Sequence, residues 1–226
     1  MGYTTNYQLK KQAIPYPKTK QILLSVKDKR TQALMVYQYV FAARVGELAR
    51  VYVHRYRVKG VWVSQGVLVG DLSIRNEGRE IVLTKPNFKQ AKIVNTADGS
   101  VVDISKFSVP FMVNMEPEFA GIILGWVKGR NPIEPLFDIQ EAMMRKLIRR
   151  EFRLQGFDRY SSHWLRQWRA WHIGELTGDP YAVQAILGHS DLNTSLAYVS
   201  GLSKALRDLD RDNKTFDSLL GKSGGD

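Results

Sequence analysis

The chain of 226 residues contains no cysteine. That absence removes disulfides, zinc–thiolate sites and cysteine nucleophiles before any motif is read. Long apolar runs are missing too: the longest, Phe119 to Val127, is far below the roughly 20 residues a bilayer-spanning helix needs. The polar start, Met1 to Lys11, lacks the apolar core of a secretory signal. Acidic residues are in short supply, 22 against 33 lysines and arginines, leaving a net charge of +11. Because the excess is spread along the chain, it favours a polyanionic partner through release of condensed counterions. The expected setting is cytoplasmic and nucleoid-associated, with no membrane partner. A merely basic soluble protein would carry the same charge, so the motifs must decide.

The chain divides by periodicity. Residues 1–18, with Pro15 and Pro17, read as a tail or linker, and residues 202–226 as a charged helix and a frayed end. Between them, apolar residues from Thr19 to Val53 recur at helical spacing, with Asp28 as a helix start and a break at Ala43 and Arg44. From Gly60 to Val102 the pattern turns to β-branched runs: Val61 to Val63, Val67 to Ile74, Glu80 to Thr84 and Ala91 to Val94. Turns are expected at Asn76-Glu77-Gly78 and Pro86-Asn87. Helical spacing resumes in Pro117 to Lys128, Asp138 to Phe152, Ser162 to Leu176, Pro180 to Leu187 and Asn193 to Val199. The expected class is α+β, mainly helical, with a small antiparallel sheet.

One stretch carries most of the chemical information. His163-Trp-Leu-Arg166 opens a helix, Leu187-Gly188-His189 follows a turn, and Tyr198 stands nine residues beyond His189. Each fragment alone is common, since H-x-x-R occurs by chance and Leu-Gly-His often ends a helix. Upstream, Arg44-Val-Gly-Glu47 sits in the break between two helices. By itself Arg44 would read as a solvated arginine paired with Glu47.

Together and in this order, these boxes resemble the catalytic domain of the tyrosine recombinases, the phage-type integrases. The resemblance runs from about Lys20 to Gly201 and implies a catalytic domain over residues 19–201. It implies Tyr198 as nucleophile, Arg44, Arg166, His163 and His189 around the scissile phosphate, and Glu47 orienting them. The family's hairpin lysine corresponds best to Lys85, after the strand Glu80 to Thr84, with Lys89 as the alternative general acid; Pro86 departs from the family pattern there. The partner implied is double-stranded DNA, bound by a homo-oligomer, a tetramer, with no metal and no cofactor. Residues 52–65 are longer than the family's usual link. Relatives carry a separate DNA-clamping domain before the first box, whereas about forty residues precede Arg44. Removal of that domain and a single-domain form are both open.

The residue types suit the reaction. Attack on a phosphodiester builds negative charge on the non-bridging oxygens, and two guanidiniums can fork onto them. His163 and His189 can add hydrogen bonds, and His163 can help remove the tyrosine proton. The lysine protonates the departing 5′ oxygen, and the covalent 3′-phosphotyrosyl link conserves the bond energy for rejoining. A type IB topoisomerase-like relaxing enzyme and a catalytically silent DNA-binding regulator are the other readings. His172, Trp164, Trp168 and Trp171 read as packing residues, and Arg149 and Arg150 as a solvated face.

Overall fold

Helix α1, Tyr16–Ser25, starts inside the stretch expected to be linker. Pro15 caps it and Pro17 lies in its first turn, where a missing N–H is no loss. The computed structural model describes residues 14–49, 66–86 and 106–189, the backbone of 92–96 and 99–103, and Leu192, Ser195 and Tyr198. Helix α2, Lys29–Val40, begins as expected at Asp28, whose carboxylate accepts from Thr31 N at 2.9 Å. All ten residues from Thr31 to Val40 are buried. A helix covered on every side is a central one, and α2 packs against α4 (Pro117–Val127), α5 (Glu141–Leu154) and α6 (Ser162–Thr177). Two of its tyrosine hydroxyls find partners there: Tyr37 OH donates to Ile123 O at 2.9 Å, and Tyr39 OH bonds His172 Nδ1 at 2.7 Å. The short helix α3, Val45–Leu48, follows the break at residues 41–44.

The antiparallel sheet has three strands in the order β1-β2-β5: Leu72–Arg75, Glu80–Pro86 and Lys106–Met112. Strands β3, Lys92–Thr96, and β4, Gly99–Asp103, form a separate hairpin. On β2 the side chains of Ile81, Leu83 and Lys85 are buried; opposite them stand Phe111, Val109 and Phe107. Thr84 and Ser108 bond each other at 3.0 Å on the outer face.

The expected strand Val67 to Ile74 is only half formed. Asp71 accepts from Leu68 N at 2.9 Å and closes a 3-10 turn over Val69–Asp71. The N–H groups of Val69 and Gly70 donate to Glu134 O and Pro132 O, at 2.9 and 2.8 Å. A local side-chain cap has outcompeted the ladder there. The turn at Asn76-Glu77-Gly78 is present, with all three φ angles positive. Pro86 is the last paired residue of β2, opposite Lys106, and any turn begins after it. The expected strand Val61 to Val63 and the tail helix 203–220 lie outside the described residues; of Asn193 to Val199, Ser195 is helical.

Helix α6 ends at Gly178 and α7, Pro180–Leu187, at Gly188, both glycines left-handed with φ 65° and 62°. Trp168 and Trp171 are buried and Trp164 partly so, which bears out their reading as packing aromatics. Arg149 and Arg150 are exposed on α5. Among the described residues, no helix is long and apolar enough to cross a membrane.

Candidate active site

The site begins with a turn. After α2 the chain reverses through Ala42, whose φ of 44° is left-handed, a conformation that costs a non-glycine residue about 1 kcal/mol or more. Ala43 N donates back to Gln38 O at 3.0 Å. The reversal leaves the carbonyls of Phe41 and Ala42 to bind cations from two other parts of the chain. Phe41 O accepts from Lys85 Nζ at 2.6 Å, and Ala42 O accepts from Arg166 Nη1.

Arg166 is buried on α6, three residues into H-x-x-R. Its second fork nitrogen, Nη2, donates to Leu187 O at 2.6 Å. One guanidinium therefore ties the first arginine box to the end of α7, where Leu-Gly-His lies. Burial, with Arg44 nearby, pushes Arg166 down to about 10, against the pull of Glu47.

Arg44 stands at the N-cap of α3 and is the more open of the two arginines, its side chain 26% exposed. Glu47, fully buried, accepts from Arg44 N at 2.8 Å and from Arg44 Nη1 at 2.5 Å. The same carboxylate faces Lys85, Oε2 to Nζ 3.6 Å. Glu47 thus sits between Arg44 and Lys85.

Lys85 occupies an apolar, inward position of β2, where alternation asks for another leucine or isoleucine. It has no exposed surface. Burial pushes its ammonium from 10.5 down to about 7; Glu47 opposes this, while Arg166 and Arg44 add to it. The Phe107 ring lies over the ammonium, 4.8 Å from its centroid.

Tyr198 is packed against the core, and its main chain reaches α6. A Cβ on Gly174 would stand 2.3 Å from the Tyr198 carbonyl oxygen, so only glycine admits this approach. Burial raises the phenol above its ordinary value, and the Arg166 charge opposes the rise. His189 Nδ1 shares a hydrogen bond of 3.2 Å with Ser195 Oγ. His163 is exposed in the first turn of α6, one turn ahead of Arg166. The fold therefore joins Arg44, Glu47, Lys85 and Arg166 in one network. Tyr198 lies within electrostatic reach of Arg166, and His189 follows the turn that holds it. Lys89 lies outside the described residues.

Sequence reasoning missed a second buried network. Arg169 Nη1 donates to Glu116 Oε2 at 2.8 Å, and its guanidinium lies over the Tyr39 ring. His172, read as a packed histidine, is buried: Nε2 donates to Ile14 O at 2.8 Å, so in the neutral ring Nδ1 accepts from Tyr39 OH. A visible signal was the polar run 163, 166, 169 and 172 on a tryptophan-rich helix.

No family model matches the sequence, and no curated protein does. Solved structures do match. A XerH site-specific recombinase bound to its difH substrate in a pre-cleavage complex superposes with a TM-score of 0.57 at 16% identity, over 86% of this chain and 51% of that one. The Tn1549 transposon integrase in complex with transposon right end DNA gives 0.52 at 16% identity, over 89% and 66%. The integrase of mycobacterium phage Brujita gives 0.51 at 18% identity, over 86% and 56%. This is the tyrosine recombinase catalytic fold. The chain spans about half to two thirds of the length of these proteins. Within that fold the two arginine boxes, so far apart in sequence, meet through the Ala42 carbonyl.

Proposed function

We propose that the chain is the catalytic domain of a site-specific DNA recombinase or integrase that cuts and rejoins duplex DNA through a 3′-phosphotyrosyl intermediate. The observation that carries this reading is the cluster of three cations, Arg44, Lys85 and Arg166, held together around one carboxylate, Glu47, with Tyr198 beside it. Such a cluster suits a pentacoordinate phosphorus whose oxygens gain charge as the reaction proceeds.

In the proposed reaction the Tyr198 oxygen attacks phosphorus, forming the phosphotyrosyl bond as the bond to the 5′ oxygen breaks. The phenol is held above its ordinary value and must lose its proton on attack, which gives His163 its role as base. Arg44 and Arg166 stabilise the non-bridging oxygens, with His189 adding a hydrogen bond. Lys85 passes a proton to the leaving 5′ oxygen; an ammonium near pH 7 is well matched to that donation at neutral pH. Attack by a 5′ hydroxyl reverses the steps. The domain proposed for this work is residues 19–201, with 1–18 and 202–226 flanking it, acting on DNA as a homo-tetramer.

A nicked suicide duplex tests the reading. Wild-type protein should form a covalent protein–DNA adduct, and Tyr198→Phe should form none while binding DNA equally well, because no charge is lost. An adduct mapped to any other tyrosine refutes the assignment. Resolution of a Holliday junction separates a recombinase from a relaxing enzyme.

A further inference from the structure

Two observations meet at a residue to which neither arginine box points. Phe107, on β5, lies directly opposite Lys85 in the register of β2 and β5. One side of its ring covers the Lys85 ammonium, 4.8 Å from centroid to Nζ. The same ring fills the space at Gly188: a Cβ there would stand 2.6 Å from Cζ and 2.8 Å from Cε2. Gly188 is the left-handed residue that ends α7, between Leu187, whose carbonyl holds Arg166, and His189. Resting on the recombinase reading of the site, we propose that Phe107 is a positioning residue, a wedge that sets the spacing between Lys85 on the sheet and the Leu187–His189 turn.

The geometry explains why an aromatic ring serves here. The gap lies between an ammonium and a helix end, and a flat ring offers its π face to the cation while its far edge fills the space beneath the glycine. A Cβ on Gly188 would clash with the ring tip and displace it, so the glycine of Leu-Gly-His is required by its φ and by this contact together. Phe107 is itself partly exposed, and on its side it stands between solvent and a lysine that has no exposed surface.

The test uses Phe107→Ala and Phe107→Leu, with Val109→Ala as control. Val109 is fully buried on the same strand, paired with Leu83 rather than Lys85, and matches the loss of packing. Cleavage of suicide duplexes is followed against pH, on normal DNA and on DNA with a 5′-bridging sulfur, whose thiolate leaves without needing a proton. Phe107→Ala should cleave normal DNA about 10 to 100 times more slowly and recover much of the loss on the sulfur substrate. Its decline at high pH should move upward, because water admitted beside Lys85 relieves the burial that lowers it. Glu47, which holds the proton on Lys85, and Arg44 and Arg166, which oppose it, are unchanged in this variant. Phe107→Leu, which keeps most of the volume, should lie between. Val109→Ala should shift neither the pH profile nor the ratio between the substrates. If Phe107→Ala behaves as Val109→Ala does, the wedge is wrong though the recombinase reading stands. If wild type forms no adduct on either substrate, the recombinase reading itself fails.

Discussion

Replacing Lys85 by methionine should stabilise the fold while abolishing cleavage of ordinary DNA. The lysine is wholly buried, and its ammonium falls from 10.5 to about 7 even with Glu47 3.6 Å away. That fall corresponds to roughly 5 kcal/mol of folded-state stability lost while the group is charged. The folded chain binds this proton less tightly than the unfolded chain does. The deficit is therefore complete below pH 7 and shrinks as pH rises from 7 towards 10.5. Methionine fills the same channel without charge, but it leaves Phe41 O without its donor at 2.6 Å, a penalty of about 1–3 kcal/mol. The charge dominates, and the variant should be more stable by about 2–4 kcal/mol near pH 6. At about pH 9.5 only about 1 kcal/mol of the deficit remains, so the advantage should vanish or reverse. Urea denaturation at the two pH values measures both numbers. A variant less stable than wild type near pH 6, or a difference that ignores pH, would refute the reasoning.

Two further outcomes follow from the same geometry. Arg166→Lys keeps the charge but cannot reach Ala42 O and Leu187 O at once, so cleavage should fall about 10²- to 10³-fold with a lower Tm; a rate within a few-fold of wild type on a suicide duplex would count against the fork. Gly174→Ala should favour α6 by about 1 kcal/mol of intrinsic helix propensity. It also places a methyl where the Tyr198 carbonyl lies, so adduct formation should drop at least tenfold with DNA affinity unchanged in a filter-binding assay; unchanged cleavage would show that this approach is not needed.

Part of the cluster could be picked out because polar residues stand where packing alone would place apolar ones. Lys85 shows this most clearly. The sequence reading placed it by resemblance, yet the alternation Ile81, Leu83, Lys85 already put a cation on the face of β2 that turns to the core. The helices from 117 to 187 were read to within three residues at each end, since proline, glycine and apolar spacing agree there. Where local cues conflicted, the reading slipped. Two prolines suggested a linker, but one caps α1 and the other sits in its first turn; Asp71 turned half of an apparent strand into a 3-10 turn. The Ala42 turn and the Phe107 contacts were not legible at all, and the Arg169–Glu116 pair only in part, through the polar run on α6. They depend on strand register, on residues far apart in the chain, or on a backbone angle that composition does not announce.

The site gathers three of the chain's cations around one buried carboxylate. Arg44, Lys85 and Arg166 face a single carboxylate, so the cluster holds two more positive charges than negative ones. Buried cations without matching anions are unfavourable, and the strain is visible in the two groups driven furthest down, Lys85 and Arg166. The fold offsets part of it with neutral dipoles: the carbonyls of Phe41, Ala42 and Leu187 take three of the N–H groups. Carbonyls hold a cation without cancelling it. In the proposed reaction a phosphate would supply the missing charge and so keep Lys85 protonated when it binds. On that proposal, the imbalance that destabilises the cluster is also an attraction for a phosphodiester. Full pairing of these cations by further carboxylates would make the fold more stable and leave less attraction for the backbone of DNA.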